Sequence, residues 1–425
     1  MNRRGKGGGV VALLIILLAA CLGLLVWLAG WAGREKLPAG EKIQLQEGGA
    51  KQEPARMGTE SQGAGADSRE DTVVIPVADE AAGMDEAYSE GSQADGPEAG
   101  QTEPSQEETV TMVFAGDVYL SEYVLQAFDR AGGISGVLDE GIRRIIGGAD
   151  YFAANQEFPF STGGTAAEDK QFTFRLPPER VNILKDMGLD LVTLANNHAL
   201  DYGTEALLDT CETLDGAGIR YVGAGADMDR AKRLETVEIK GKTIGFLGAT
   251  RVIPEYSWTA GADRPGMLAT YDPAMLLEEI RKAKAVCDYV VVMVHWGVEK
   301  DTAPQEYQRT MGRQYIEAGA DLVIGSHPHV LQGIEYFDGK PVVYSLGNFV
   351  FGSSIPKTML LQVQLSEEGV RLTSVPCAGA MGCTSEISGA ERLTAFYDEL
   401  QQLSFGVRVG PDGQITEAAG GPGTP

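Results

Sequence analysis

The run Val290-Val291-Val292-Met293-Val294 constrains this chain more than any other segment. A strand with one wet face alternates apolar and polar residues, whereas an unbroken apolar run needs cover on both faces. Such strands sit in parallel sheets flanked by helices, so the class is α/β. Thr111 to Ala115, Leu189 to Leu194 and Leu322 to Ile324 read as further buried strands. Between them, apolar residues at helical spacing predict helices over Ser121–Arg130, Pro178–Met187, Thr204–Ala217, Pro273–Val286 and Gln305–Ala318. Asp272 before Pro273 is a helix-entry signal. Lys240-Gly241 and Asp338-Gly339 predict two hairpins, which add an antiparallel component. One domain is expected over 109–405, followed by a loose Gly- and Pro-rich tail over 406–425.

The first part of the chain reads differently. Arg3, Arg4 and Lys6 precede 25 uncharged residues, Gly9 to Gly33. About 20 apolar residues span a bilayer core, and a cleavable signal has a shorter apolar region. Residues 1–33 are therefore expected to be a basic cytoplasmic stub and a retained transmembrane helix, with the rest of the chain outside a cell membrane. Trp27 and Trp31 fall at its outer interface. Leu18-Ala19-Ala20-Cys21 resembles a lipoprotein cleavage site, but residues 22–32 stay apolar, which favours the helix. Residues 34–108 are acidic, rich in Gly, Glu and Ser, and without apolar periodicity, and are expected to be a disordered linker.

A net charge of −25 excludes nucleic acid as a partner, because phosphate binding needs clustered Lys and Arg. Cys211 sits at core spacing and Cys287 precedes a strand. Cys377 and Cys383 are close enough in sequence to pair, though spacing does not fix connectivity.

Polar residues of ligand type follow each buried strand. Gly116-Asp117 follows the first; Asn196, Asn197, His198 and Asp201 follow the second. His295 and Glu299 come after the third, and His327 and His329 after the fourth. The carboxyl ends of strands are where open α/β sheets place their sites. The chain has only 4 His, and all fall at such ends. Imidazole and carboxylate together suit a divalent Zn, Mn or Fe ion. The competing reading is a buried hydrogen-bond network without metal.

Six elements together resemble the CapA family of capsule or poly-γ-glutamate synthesis proteins, over roughly residues 110–352. They are Phe114-Ala115-Gly116-Asp117, Asn155-Gln156-Glu157, Ala195 to Gly203, His295-Trp296-Gly297-Val298-Glu299, Gly325 to Val330, and Tyr344 to Phe349. The resemblance implies a metallophosphoesterase-like four-layer αββα sandwich. It implies metal ligation by Asp117, Glu157, Asn197, His295, His327 and His329, with His198 protonating a leaving group. Glu157 stands where that superfamily has a bridging Asp. Asp201 is placed to orient His198, an inference from its proximity. The superfamily's first motif is Asp-x-His, but position 119 is Tyr119, and a phenol with a pKa of ~10 is a poor ligand. One metal position therefore loses a ligand, leaving one or two ions.

The expected function is synthesis or export of an anionic capsule polymer such as poly-γ-glutamate, beside polymer synthetase subunits. Two alternatives stay open. One is a metal-dependent phosphoesterase or amide hydrolase of the cell envelope, acting on an anionic polymer or phosphoester. The other is a non-catalytic binding module on the same fold.

Overall fold

The computed structural model describes residues 109–418. The expected anchor, the motif at Cys21 and the linker lie outside the described residues. Among those described, no helix is long and apolar enough to cross a membrane.

The strand Val110–Val118 shows how the layers arise. Side chains alternate across a strand. Val110, Met112 and Phe114 join an apolar cluster with Val291, Met293 and Ile324. Val113, Ala115 and Val118 join another with Val124, Ile142, Leu184 and Leu207, which come from helices. Tyr289–His295 repeats the pattern: Val291 and Met293 face the first cluster, whereas Val290, Val292 and Val294 meet Leu276, Ile280, Met311 and Tyr315. Each such fully buried side chain stabilises the fold by roughly 1.5–3 kcal/mol. Two mixed sheets thus pack face to face, with helices on both outer faces.

In the first sheet Val110–Val118, Tyr151–Gln156, Leu191–Thr193 and Arg220–Val222 run parallel in that order. The long hairpin Ser354–Ser366 and Gly369–Ala380 extends it antiparallel on the other side of Val110–Val118. In the second sheet Lys242–Thr250, Tyr289–His295, Leu322–Ser326 and Lys340–Val343 are parallel, with antiparallel edge strands Glu235–Ile239 and Ile334–Phe337. Both predicted hairpins form. Their turn residues have positive φ at both positions, 50° and 72° at Lys240-Gly241 and 52° and 73° at Asp338-Gly339, as two-residue turns of this kind require. Asp272 accepts a bond from Ala274 N at 3.0 Å, at the start of the helix Ala274–Lys284.

One reading changes, and one left open is answered. The tail beyond 405 is not loose throughout: Val407–Val409 and Gln414–Glu417 form a hairpin that adds to the first sheet. Buried Val407 and Ile415 hold it to the core between the sheets, which outweighs the flexibility of its glycines. Cys377 and Cys383 are both free thiols. In their hairpin Cys377 lies opposite Glu386 and Cys383 opposite Ala380, so register keeps them apart. Cys211 is buried, as expected, and so is Cys287.

Candidate metal centre

The parallel strands deliver the polar residues to one place. Asp117 lies in the last turn of the pleat of Val110–Val118, and Glu157 directly follows Tyr151–Gln156. Asn196, Asn197 and His198 come after Leu191–Thr193. His295 ends its strand, and His327 follows Leu322–Ser326. Asp117, Glu157, Asn197, His198, Asp201, His295 and His327 are all buried, and His329 nearly so.

Gly116 makes the position of Asp117 possible. A Cβ at Gly116 would sit 1.8 Å from the carbonyl oxygen of Gly347. Only glycine lets the backbones approach that closely, and Asp117 N then donates to that same oxygen at 2.9 Å. The approach also brings Asn348 level with Asp117 in the parallel ladder.

Amide side chains hold the carboxylates. Asn155 Nδ2 donates to Asp117 Oδ1 at 2.8 Å and lies 3.3 Å from Glu157 Oε2. Asn196 Nδ2 donates to Asn155 Oδ1 at 3.0 Å and to the Gln156 carbonyl at 2.7 Å. The imidazoles arrive from the second sheet. His295 Nε2 is 2.8 Å from Asn197 Oδ1, and its Nδ1 is 2.9 Å from Ser326 Oγ. His329 Nδ1 lies 2.8 Å from Asn348 Oδ1 and 3.2 Å from Asp117 Oδ2.

Three observations fit a metal ion here. Glu157, His327 and His329 each present a ligand atom within 4.8 Å of the other two. Two buried atoms of that trio, Glu157 Oε1 and His327 Nδ1, have no hydrogen-bond partner among the described residues. An unpartnered buried polar atom costs about 1–3 kcal/mol, and a cation would satisfy both. The loop is also strained: His327 has φ 101° and His329 φ 58°. Non-glycine residues seldom adopt these values, and such strain concentrates at functional sites.

Burial, followed by the neighbouring Asp117 charge, pushes the Glu157 carboxyl well above its ordinary range. Burial pulls His329 down, but the carboxylates of Glu157 and Asp117 outweigh it and hold the ring raised, to about 9. His327 is depressed to about 4 by burial and by His329. The His329 ring therefore carries a proton that a cation would displace, while His327 already offers a lone pair.

His198 belongs to a different cluster. Its Nδ1 is 2.6 Å from Asp201 Oδ2, so Asp201 does orient the ring. Lys170 pairs with Asp201 Oδ1, donates to the Asn197 carbonyl, and lies 3.0 Å from His198 Nδ1. Burial lowers the His198 pKa despite the Asp201 charge. At neutral pH the ring is uncharged, with Nδ1–H toward Asp201, so it must take a proton at Nε2 before it can give one to a leaving group. Phe174 stacks on the imidazole at 4.1 Å, and Tyr119 stacks on Phe174 at 3.9 Å. Burial, then Asp201, raises the Tyr119 phenol, which stays protonated; its ring is packing in this stack.

Lys170, Asn155 and Asn348 were not singled out from sequence. Asn155 and Asn348 lie inside recognised elements, and only their ladder positions reveal them. Lys170 comes from the irregular 161–176 segment, where no periodicity marks it. Glu299, noted after the third strand, is exposed.

The family model "Bacterial capsule synthesis protein PGA_cap" matches residues 111–353, which runs from the first strand past His329 and Asn348. The chain belongs to this family. The PGA biosynthesis protein CapA of Bacillus subtilis is 34% identical over 318 residues, covering 73% of this chain and 82% of that relative. The capsule biosynthesis protein CapA of Bacillus anthracis is 32% identical over 282 residues, covering 63% of this chain and 67% of the relative. Among solved structures, the NAD nucleotidase of Haemophilus influenzae is 12% identical with a TM-score of 0.39, covering 70% of this chain and 56% of that one. Membership in the PGA_cap family rests on the sequence matches.

Proposed function

We propose that this protein acts in synthesis or export of an anionic capsule polymer such as poly-γ-glutamate, through a divalent-metal site. In this reading residues 1–33 tether it to the membrane, the 34–108 linker holds the domain outside, and a polymer synthetase is its partner. The Bacillus relatives named for capsule and PGA biosynthesis support the biological setting. The observation that carries the chemistry is the buried Glu157–His327–His329 trio with two unpartnered polar atoms.

Glu157, His327 and His329 would hold the ion, with Asp117, Asn197 and His295 alongside. A bound Zn, Mn or Fe ion supplies Lewis acidity toward a carbonyl or phosphoryl oxygen. The chain's own residues do the rest. Asn155 and Asn196 fix the carboxylates. Asp201 fixes the His198 tautomer, so Nε2 is the atom that accepts and returns a proton. Phe174, backed by Tyr119, covers one face of the imidazole and limits its contact with water.

The oriented His198 also favours a second reading, a metal-dependent phosphoesterase or amide hydrolase of the cell envelope. One experiment addresses both. A deletion strain is complemented with wild type, His327→Ala or His198→Ala, and cell-surface polymer is quantified alongside the metal content of each purified protein. Loss of polymer with both variants, and loss of metal with His327→Ala alone, is the expected result. Full polymer with both variants would remove the site from the function.

A further inference from the structure

We propose that Arg251 is an anion-recognising residue for the substrate, and that the cavity beside it receives the methylene-rich part of an organic polyanion. This rests on the polymer reading above and adds a binding group that none of the ligand residues provides.

Arg251 directly follows the strand Lys242–Thr250, and its N–H donates to the carbonyl of His295 at 2.8 Å. It therefore stands one residue beyond the sheet position that pairs with a candidate ligand. Its guanidinium lies over the ring of Tyr307 at 3.9 Å and 5.1 Å from that of Tyr271. Arg144, Arg180, Arg220, Arg230, Arg309 and Arg371 all pair with carboxylates. Arg251 has no such pair among the described residues, and its buried Nε has no hydrogen-bond partner there. Other arginines, such as Arg175, Arg264 and Arg313, also lack a carboxylate pair there; what marks Arg251 is its place beside His295 together with an unpartnered buried Nε. Stacked on aromatic rings, it is oriented to take a carboxylate in a two-pronged bond.

A cavity of ≈ 860 Å³ opens beside it, walled by Ile253, Tyr256, Tyr271 and Met275. That volume lies in the range of small-molecule sites, about 300–1,000 Å³. Its link to the site runs through Tyr271: that wall residue lies 5.1 Å from the Arg251 guanidinium, and Arg251 N donates to the His295 carbonyl. Tyr256 and Tyr271 are 85% and 55% exposed, an unusual outlay of aromatic surface. The two acids that line the cavity are engaged elsewhere. Asp272 accepts from Ala274 N, and Glu278 pairs with Lys282 at 2.7 Å. One guanidinium beside an apolar wall suits a ligand that alternates carboxylates with methylene groups.

The test measures binding by calorimetry on the full chain in detergent, with metal chelated so that affinity for the metal centre does not contribute. The probes are a γ-linked glutamate pentamer and inorganic triphosphate. Wild type is compared with Arg251→Met, Arg251→Lys, and Arg313→Met as a control arginine packed on Phe337. Loss of a charged hydrogen-bonding group predicts pentamer binding about ten- to hundredfold weaker in Arg251→Met. Arg251→Lys, which keeps the charge and the fold, should be intermediate, and Arg313→Met unchanged. Equal affinity in wild type and Arg251→Met overturns the role of Arg251 and leaves the polymer reading standing. Arg251-dependent binding of triphosphate without the pentamer keeps the anion site and removes the glutamate polymer. No binding of either probe by wild type overturns the anion site and leaves the metal-centred reading to its own test.

Discussion

Asp201 and Glu157 are fully buried carboxylates in one site, and they are supported in opposite ways. Asp201 Oδ1 takes the Lys170 ammonium, while Oδ2 accepts from Phe174 N at 2.6 Å and faces His198 Nδ1 at 2.6 Å. Glu157 Oε2 has one long hydrogen bond from Asn155, and its Oε1, 3.7 Å from His329 Nε2 and 3.9 Å from His295 Nε2, has no hydrogen-bond partner among the described residues. A buried charge is tolerable when paired and hydrogen-bonded. The Asp201 side is complete by itself, a scaffold that positions His198. The Glu157 side is incomplete, as expected of groups whose partner is a cation. The difference separates residues that shape the site from residues that bind in it.

The strongest way to break this comparison is Asp201→Asn. Lys170 is only 14% exposed, so the change leaves a buried ammonium short of its counter-charge. Removing one partner of such a pair costs about 3–5 kcal/mol, to be measured by denaturant unfolding. Adding Lys170→Met should recover much of the loss. If Asp201→Asn is as stable as wild type, the Asp201 side is not the scaffold described.

On the Glu157 side the large effect comes from the ion. The trio draws Glu157 from the first sheet and both histidines from the loop beyond the second, so a bound cation would clamp the two sheets together. At a free concentration about a hundred times Kd, binding to the folded state alone adds about 2.7 kcal/mol. Thermal unfolding with and without Mn or Zn reads this. His327→Ala should abolish the increment with little change in the metal-free midpoint. Asn155→Ala, which removes the amide between Asp117 and Glu157, should weaken metal affinity by about ten- to hundredfold.

The His329 proton gives a smaller, graded effect. His329 is raised to about 9 in the metal-free protein, so at neutral pH the site holds a proton that metal must expel. Apparent affinity should rise with pH up to about 9, by at most roughly tenfold per unit. Calorimetry in buffers of different ionisation enthalpy would show proton release; its absence at pH 7 would mean that His329 is already neutral.

Much of this site could be read before folding because ligand chemistry and strand ends coincide in the sequence. His295 closes the very run that identified the α/β class, and His327 directly follows Leu322–Ser326. The less legible parts depend on distant pairing. Lys170 meets Asp201 across 31 positions from a segment with no regular structure. Asn348 matters only because its strand pairs in register with Asp117. Val407 and Ile415 read as isolated apolar residues among glycines, yet they fill the core between the sheets. Burial of that kind is a property of the assembled sheet, which local pattern does not carry.

Tyr119 offers the smallest effect and a sharp check on the division between the two sides. The resemblance read in the sequence implies a histidine ligand at position 119; here the phenol is held protonated by burial and by Asp201, and the ring stacks on Phe174. The ring should matter and the hydroxyl should not. Tyr119→Phe keeps the stack and should change stability by under about 0.5 kcal/mol, with metal content unaltered. Tyr119→Ala loses an aromatic pair worth about 0.5–1.5 kcal/mol beyond its buried area, and frees Phe174 on its way to His198. Tyr119→Ala should therefore lower activity through His198 while leaving metal stoichiometry as in wild type. If Tyr119→Phe loses metal instead, the phenol is a ligand after all, and Tyr119 moves from the His198 side of the site to the Glu157 side.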